Sequence, residues 1–387
     1  MKTACKKQKI VSHFVGLSGV GGVQSNFIEY MNNIKLHPSK YKHKVYTIGS
    51  VDSCYRLDID VLDIKKVSNL YKLALDIISK GVIVHFYNNL SSLKVAFFLF
   101  FLPVNKLIVH ERGTIWNQKF VGLIASYIVS WKAHIILSNS FATKTMLIKK
   151  VHISEKKIQV LHNGINTLPN QKCNTDCQES DSTFYIGFIG RLDSPKGVHI
   201  LIDAMKHLKS KNIKLIIAGD GALKKILKIN SSKLPNVKFI GRVKTPYIFM
   251  SKINLLVVPS IREPLGNVCL EAGLCKVPVL AANIDGLPEI IEDKFSGELI
   301  DATDQAIVNL AGGALPLPKF VVNPDTQKLY QPRQINPAIL AKRILGLSQK
   351  PDKLRYYANN LHNKVVKYFN INRYRTELHK IYSDMFF

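Results

Sequence analysis

Short apolar runs alternate with longer amphipathic segments along the first half of the chain. The runs are four to eight residues long and rich in β-branched side chains, as in buried strands, whereas the longer segments repeat apolar residues every three or four positions, as in helices. This pattern predicts strands at 9–16, 43–49, 81–87, 105–111, 133–138 and 157–163, and helices at 23–33, 67–80, 117–131 and 140–150. Such alternation is typical of βαβ units and a parallel sheet.

A second alternating series follows a polar segment, 167–183, that has no periodicity. It predicts strands at 184–190, 213–219, 236–241, 253–260 and 277–282, and helices at 197–210, 221–230, 266–275, 338–349, 352–369 and 371–386. We therefore predict a first domain over 1–166, a linker over 167–183 and a second domain over 184–370. Residues 311–337 are Pro-rich and are predicted to form an irregular excursion, and the last helix, 371–387, is predicted to pack back toward the first domain.

Length and composition agree with two α/β domains. The chain has 387 residues, which is too long for one ordinary core. Of these residues 47% are hydrophobic and 21% are charged, a composition typical of globular proteins. Two doubly wound domains would form a cleft, and open α/β sheets bind ligands at the carboxyl ends of their strands.

The net charge is +27, and its excess of basic residues is spread over both halves. Nucleic acid, phosphorylated small molecules and the anionic inner face of a membrane all fit this charge, and a Lys-rich genome composition accounts for part of it. We do not expect nucleic acid, because the aromatic residues are not interleaved with the basic ones as base stacking requires.

The beginning of the chain lacks the apolar core of a signal peptide, and the six cysteines are scattered. Both observations favour a reduced, cytosolic protein. The spacing of Cys173 and Cys177 could hold a metal ion, but no second cysteine pair lies nearby, and these residues are interpreted as part of the linker.

An apolar run over 93–104 is too short to span a bilayer, which needs about 20 residues. As a helix it would be apolar on every side, which favours burial between layers of the fold. The alternative is that it lies in a membrane interface.

Three motifs follow predicted strands. The first, GLSGVGGVQSN (16–26), places Gly21 and Gly22 before a helix, where the backbone can approach an anionic ligand. Its spacing is not that of the dinucleotide fingerprint, and an ordinary strand-to-helix turn explains it equally well.

The second motif, GFIGRLDSPKG (187–197), brings Arg191 and Lys196 to a strand end and a helix start, which suits a diphosphate.

The third motif, EPLGNVCLEAG (263–273), holds two carboxylates, Glu263 and Glu271. They could form an acid/base pair, a metal site, or acceptors for ligand hydroxyls; an ordinary helix-start carboxylate with a paired buried glutamate is the alternative without function. The spacing separates the two groups, which argues against a shared proton, and the segment has too few oxygen ligands for a metal. Hydrogen bonds from sugar hydroxyls fit best.

Together the motifs resemble the retaining glycosyltransferases of the GT-B fold, family 4. The resemblance covers nearly the whole chain and is carried by GGV, VHERG, NGIN, GRLDSPKG, AGDG, NVKFIGRV, VPSIREPLGNVCLEAG and DGLPEII. It implies two Rossmann-like domains facing across a cleft, with a C-terminal helix that crosses back to the first domain. It also points to bacterial enzymes of lipopolysaccharide or other surface polysaccharide synthesis.

The resemblance implies roles for residues of the second domain. Arg191 and Lys196 would neutralise the diphosphate of a sugar nucleotide, and Glu271 would bind the ribose. Glu263 would face the donor sugar. The remaining donor contacts would come from backbone N–H groups at Leu265, Gly266, Asn267 and Val268.

In the first domain, His110 matches the position that faces the transferred sugar, and His85 is a weaker candidate. Gly21 and Gly22 would approach the donor. Glu111 and Arg112 would contact the acceptor or orient His110.

The implied reaction moves a hexose-type sugar from a nucleotide sugar, with UDP favoured, to a lipid-linked or oligosaccharide acceptor. No metal or cofactor is expected, and front-face attack is favoured over a Glu263 nucleophile. The enzyme is expected at the cytoplasmic face of an anionic membrane. A sugar-nucleotide epimerase and a non-enzymatic nucleic-acid-binding protein are the alternatives.

Overall fold

The computed structural model describes residues 9–19, 21–167, 183–208, 212–307 and 313–386, which form two compact units. The first unit comprises residues 1–166 and 370–387, and the second comprises residues 167–369. Almost all of the predicted linker, including Cys173 and Cys177, lies outside the described residues.

The first unit contains a seven-stranded parallel sheet in the order β3-β2-β1-β4-β5-β6-β7. Its strands are β1 (Ile10–Phe14), β2 (Lys42–Thr47), β3 (Val61–Asp63), β4 (Val82–Tyr87), β5 (Leu107–Glu111), β6 (Ile135–Ser138) and β7 (Ile158–Val160). Its helices up to residue 166 are α1 (Gly22–Leu36), α2 (Val67–Ile78), α3 (Leu93–Phe100), α4 (Phe120–Lys132) and α5 (Phe141–Val151), with 3-10 turns at Ile115–Asn117 and Glu155–Lys157. The strand order reverses between β1 and β4.

The second unit repeats this design with a six-stranded parallel sheet in the order β10-β9-β8-β11-β12-β13. Its strands are β8 (Phe184–Ile189), β9 (Ile213–Ala218), β10 (Val237–Gly241), β11 (Leu255–Val258), β12 (Val279–Ala282) and β13 (Glu298–Ile300). Its helices are α6 (Val198–His207), α7 (Lys224–Asn230), α8 (Pro246–Met250), α9 (Asn267–Leu274), α10 (Leu287–Ile290), α11 (Pro337–Ser348) and α12 (Pro351–Tyr368), with a 3-10 turn at Ser194–Lys196. The predicted pair of doubly wound α/β domains is confirmed.

The Pro-rich excursion takes part in two small antiparallel ribbons of the second unit. One pairs β14 (Asp304–Gln305) with β17 (Arg333–Gln334), and the other pairs β15 (Val321–Val322) with β16 (Leu329–Tyr330). Each strand has two residues, so no alternation of polar and apolar positions could reveal it in the sequence.

The last helix, α13 (Ile371–Phe386), packs in the first unit beside α1. Its inner face buries Tyr374, Leu378 and Tyr382 in the core that α1 and the sheet share. The Tyr382 hydroxyl and His85 Nδ1 on β4 are 2.7 Å apart, so the helix also makes a buried polar contact with the sheet.

The expectation that the apolar run 93–104 is buried is wrong. Helix α3 buries Val95, Ala96 and Leu99, but Leu93 and Phe97 are exposed on the opposite face. A run that is apolar on every side does not specify which face turns inward, and packing against α4 decides it. A search of the described helices finds none that is both long and apolar enough to cross a bilayer.

A half-buried carboxylate on α1, Glu29, makes the stability of the first unit depend on pH. Glu29 Oε2 accepts a hydrogen bond from the Asn166 backbone N–H at 3.2 Å, yet burial raises the pKa of Glu29 to about 7. Because the pKa of Glu29 is higher in the folded state than in the unfolded state, the protonated carboxyl group favours the folded state. Its contribution to the free energy of unfolding is fully present below about pH 4.5 and is lost as the pH rises through 7.

We therefore expect Glu29→Gln to raise the melting temperature at pH 8 and to leave it nearly unchanged at pH 4.5. The amide keeps the acceptor for Asn166 and removes the charge. Thermal melts of both proteins across this pH range test the prediction, with Asp60→Asn at an exposed site as the control. A constant difference between wild type and Glu29→Gln at all pH values would contradict it.

Candidate active site

The order of strands reverses between β8 and β11 in the second unit, so the loops after these two strands border a crevice at the carboxyl edge of the sheet. Residues 190–197 follow β8, and residues 259–266 follow β11. The predicted Arg191, Lys196 and Glu263 all belong to these two loops. The crevice at such a reversal is where doubly wound sheets bind their ligands.

The central contact between the loops is an ion pair. Lys196 Nζ lies 2.5 Å from Glu263 Oε2, and Ser260 Oγ donates a hydrogen bond to the same carboxylate oxygen at 3.1 Å. Glu263 is only 6% exposed, whereas the Lys196 side chain is about a third exposed. A buried carboxylate therefore holds a cation at the surface of the crevice.

The two loops also pack closely through their backbones. The N–H groups of Ile261 and Arg262 donate to the Pro195 carbonyl at 2.9 and 3.1 Å. Gly197 has a φ of +66°, and a Cβ there would lie 2.0 Å from the Pro259 carbonyl oxygen. Any side chain at Gly197 would push the loops apart and separate Lys196 from Glu263.

Asp285 positions the Glu263 loop, a role that the sequence pattern does not predict. Asp285 Oδ2 accepts the Glu263 backbone N–H at 2.9 Å, and the Gly286 N–H donates to the Glu263 carbonyl at 3.1 Å. Asp285 Oδ1 also accepts the Val322 N–H at 2.7 Å. One carboxylate thus joins the Glu263 loop to β15. The motif DGLPEII contained the residue, but its two partners are distant in sequence.

Asp193 makes a similar link on the other side of the crevice. Its Oδ1 accepts the N–H of Ser194 at 3.0 Å and the N–H of Leu315 at 2.6 Å. The excursion is therefore attached to both site loops, and its described part supports the site.

Helix α9 begins directly after the Glu263 loop. Gly266 at its N-cap has a φ of +99°, in the left-handed region that favours glycine. The first N–H groups of a helix have no intrahelical acceptor, so Gly266, Asn267 and Val268 lie where an anion or hydroxyl can bind. Glu271 is half-buried one turn further along α9.

Arg191 and Cys269, two side chains of the second unit, differ in their exposure to solvent. Arg191 follows β8 and is exposed. Cys269 is buried, and burial together with the negative charge of Glu263 raises the pKa of its thiol. Cys269 therefore stays protonated and is not a nucleophile at neutral pH.

In the first unit, His110 lies on β5 and is fully buried. Its ring stacks on that of His85, with centroids 5.6 Å apart and an interplanar angle of 8°. Burial lowers the pKa of His110 well below its usual value, and the charges of Arg112 and His85 lower it further. Among the described residues neither ring nitrogen has a hydrogen-bond partner. The neutral imidazole therefore has one donor and one acceptor that no described residue satisfies.

Arg112 is buried beside the two histidines. Its Nη2 donates to the Tyr374 hydroxyl at 2.9 Å, and the guanidinium lies over the Tyr87 ring at 5.6 Å. Nε and Nη1 have no partner within the described part of the chain. A buried guanidinium with two unused donor nitrogens is suited to an anionic or hydroxyl-bearing ligand.

Glu111 has a different environment from Arg112. Its Oε1 accepts the backbone N–H groups of Gly113, Thr114 and Ile115 at 2.9, 2.5 and 3.2 Å, and the Thr114 hydroxyl also donates to it. Burial raises the pKa of Glu111, and these hydrogen bonds oppose the rise. The carboxylate stabilises the loop after β5 through these hydrogen bonds. They occupy the group that the sequence suggested for binding the acceptor substrate.

The other buried histidines of this sheet contact neighbouring protein groups. His13 Nε2 lies 2.9 Å from His43 Nδ1, and His13 Nδ1 lies 3.4 Å from the Tyr87 hydroxyl. His85 contacts Tyr382 through Nδ1, as described above. Burial lowers the pKa of both His13 and His85 well below the usual value.

Among the described residues of the glycine loop after β1, Gly21 and Gly22 both have backbone conformations that other residues can adopt. Gly21 is the N-cap of α1 in an extended conformation, and its N–H donates to the Tyr55 hydroxyl at 3.4 Å. Gly22 is exposed at the first position of α1. Within the described ranges no three His, Cys, Asp or Glu side chains are grouped so that they could hold a metal ion.

Part of the second unit is similar to a known protein family. Residues 176–311 match the family model described as glycosyl transferases group 1. This segment contains Arg191, Lys196, Glu263, Asp285 and α9. The sequence around the crevice after β8 and β11 is therefore similar to that of group 1 glycosyl transferases.

Two curated relatives are similar over part of their length. The capsular polysaccharide biosynthesis glycosyltransferase CapM of Staphylococcus aureus is 30% identical over 200 residues, which is 48% of this chain and 53% of CapM. The N-acetylgalactosamine-N,N'-diacetylbacillosaminyl-diphospho-undecaprenol 4-alpha-N-acetylgalactosaminyltransferase of Campylobacter jejuni is 30% identical over 213 residues, 52% of this chain and 57% of that enzyme. The matched region spans about half the length of these relatives.

The fold is shared with solved protein structures over nearly the whole chain. Anabaena Alr3699/HepE, solved in complex with UDP and glucose, aligns with a TM-score of 0.73 and 20% identity over 97% of this chain and 100% of that chain. The GT-B architecture that the motifs implied is thus confirmed.

Proposed function

We propose that this chain is a retaining glycosyltransferase that moves a hexose-type sugar from a UDP-sugar to a lipid-linked saccharide during lipopolysaccharide or other surface polysaccharide synthesis. The main support is the Lys196–Glu263 pair between the loops after β8 and β11, within the segment that matches the group 1 model. The names of the Staphylococcus and Campylobacter relatives support the surface-polysaccharide setting, and the UDP and glucose bound to HepE support the donor class.

In this proposal, the loop residues stabilise the leaving group. The bond between the anomeric carbon and the β-phosphate oxygen breaks, and its electron pair goes to the phosphate. Arg191 and Lys196 provide positive charge there, and the first N–H groups of α9 bind the phosphate or the sugar hydroxyls. Glu271 accepts hydrogen bonds from the ribose hydroxyls.

We propose front-face attack for the second half of the reaction. The acceptor hydroxyl oxygen bonds to the anomeric carbon on the face that the phosphate leaves, and its proton passes to a phosphate oxygen. Glu263 Oε2 is already engaged by Lys196 and Ser260, which makes this carboxylate a poor nucleophile and a good positioning group. His110, as a neutral imidazole, hydrogen-bonds the transferred sugar, and Arg112 binds the acceptor. No metal or cofactor takes part in this scheme.

The first test is donor binding by the purified chain. Titration calorimetry with UDP-glucose, UDP-galactose, UDP-N-acetylglucosamine and GDP-mannose should give saturable binding for one UDP-sugar and a loss of about tenfold or more in affinity for Glu271→Ala. Transfer of that labelled sugar to extracted membrane lipids, with retention seen by NMR, completes the assignment. No saturable binding of any sugar nucleotide would overturn the proposal, and interconversion of the UDP-sugar without acceptor would favour an epimerase.

We further propose that the enzyme works at the cytoplasmic face of the membrane, where a lipid-linked acceptor is held. The basic composition of the chain supports an anionic surface as its partner.

A further inference from the structure

The outward sides of α3 and α4 form an apolar surface of unusual composition, named here the aromatic face. In α3 the exposed residues Leu93, Phe97 and Phe100 recur at positions i, i+4 and i+7, which places them on one side of the helix. The aromatic face comprises Leu93, Phe97, Phe100, Phe101, Phe120, Val121, Ile124, Tyr127 and Trp131, all of them exposed. Phe97 is 71% exposed and Phe120 is 75% exposed.

The inward side of α4 is smaller and more polar than its outward side. Its buried residues are Ala125, Ser126, Val129 and Ser130. Both serines donate hydrogen bonds to backbone carbonyls of their own helix, Ser126 Oγ to Gly122 and Ser130 Oγ to Tyr127, each at 2.8 Å. A surface helix of a soluble protein normally has its apolar residues on the inward side and its polar residues on the outward side. Helices α3 and α4 pack together, so their exposed apolar sides adjoin. Large exposed apolar patches of this kind mark interaction sites.

The sequence segment that carries the aromatic face is strongly basic. From residue 77 to residue 154 the sequence has a single acidic residue, Glu111, and that residue is buried. The basic residues of the same segment are Lys80, Lys94, Lys106, Arg112, Lys119, Lys132, Lys144, Lys149 and Lys150. Lys94 and Lys119 are exposed and adjoin Leu93 and Phe120 in sequence. Lys132 lies over the Trp131 ring at 4.9 Å.

We propose that the aromatic face docks onto the surface of an anionic lipid bilayer. The rings enter the interface between headgroups and acyl chains, and Lys94 and Lys119 meet lipid phosphates. A second copy fits less well, because a two-fold interface would place the same basic surface against itself. This inference deepens the proposed function, and rests on it only in taking the acceptor to be lipid-linked.

Vesicle binding by the full chain, without sugar nucleotide, tests the proposal. Large unilamellar vesicles of phosphatidylcholine with 30 mol% phosphatidylglycerol, on the order of cellular anionic content, should co-sediment with the protein, and vesicles of phosphatidylcholine alone should bind it much less. The double variant Phe97→Ser/Phe120→Ser should lower the partition coefficient about tenfold or more. Lys94→Gln/Lys119→Gln should lower it about fivefold or more at low salt, with little further effect at high salt.

Matched controls come from exposed residues elsewhere. Tyr71→Ser/Tyr356→Ser removes two exposed rings, and Lys225→Gln/Lys228→Gln removes two exposed charges of α7; both should bind vesicles like the wild type. Trp131 also serves as a probe. In Trp116→Phe, which replaces the only other tryptophan of the chain, Trp131 emission should shift to the blue on vesicles and be quenched by brominated lipids.

Three results would overturn the docking proposal. They are equal binding to neutral and anionic vesicles, retained binding by the Phe97→Ser/Phe120→Ser variant, and a wild-type dimer that dissociates in that variant without any vesicle binding. Donor binding by the same variants should match the wild type, so failure of docking and failure of the proposed activity are separate outcomes.

Discussion

Lys196→Ala should lower kcat/KM for sugar transfer about 10³-fold, the largest effect expected for a single substitution in the second unit. The substitution removes a positive charge from the leaving phosphate. It also leaves Glu263, which is almost completely buried, without its cation, so a negative charge remains beside the phosphate. The free energy of unfolding should fall by about 2 kcal/mol for the same reason.

A double variant separates the two consequences. In Lys196→Ala/Glu263→Gln the buried charge is gone, so thermal stability should return toward the wild-type value while activity stays low. Lys206→Ala, which breaks an exposed pair with Asp203, is the matched control and should change neither quantity. Recovery of activity together with stability in the double variant would show that Lys196 acts only through folding.

The single variant Glu263→Gln tests whether Glu263 is the nucleophile. It should reduce kcat without any covalent sugar–protein adduct, because the proposed reaction does not use Glu263 as a nucleophile. Intact-protein mass spectrometry after incubation with the donor makes the distinction. An adduct on Glu263 in the wild type would replace front-face attack with a double displacement.

His110→Ala should lower kcat about 10²-fold or more while leaving the dissociation constant of UDP nearly unchanged. The imidazole has no hydrogen-bond partner among the described residues, so its removal breaks no polar contact within the protein, and the melting temperature should change little beyond the effect of a small cavity. Steady-state kinetics, calorimetry with UDP and thermal melts measure the three quantities.

His13→Ala is the informative comparison for His110. His13 is as buried as His110 but contacts His43 and Tyr87 through its ring nitrogens. Its loss should reduce the melting temperature clearly more than His110→Ala does and should affect kcat less. If the two variants behave alike, His110 is one more core histidine and the proposed contact with the transferred sugar is incorrect.

The sequence predicted most of the strands of both sheets, because parallel strands buried on both faces appear as continuous β-branched runs. The short edge strands β3 and β13 were missed, since three residues carry too little pattern. The ribbons of the excursion were missed for the same reason. Boundaries of the correctly predicted strands differ by at most three residues, as for β1 and β7.

The candidate site was predicted in part. Arg191, Lys196 and Glu263 follow strands that the pattern identified, and parallel strands bring their carboxyl ends to one edge. Asp285 and Asp193 received no role, because their partners Val322 and Leu315 belong to a segment without a pattern. The sequence also could not distinguish Glu111, which is satisfied by its own loop, from Arg112, which keeps unused donors.

By itself, the sequence determined the fold class, the two repeated α/β series and the strand ends that carry the charged residues, because periodicity and motif order are local properties. Only the tertiary structure decided that Lys196 and Glu263 are partners, that Asp285 joins their loop to the excursion, and that α3 turns its phenylalanines outward. Each of these depends on which distant segments pack together. Contacts between residues far apart in the chain form only when the sheet and its covering helices are assembled.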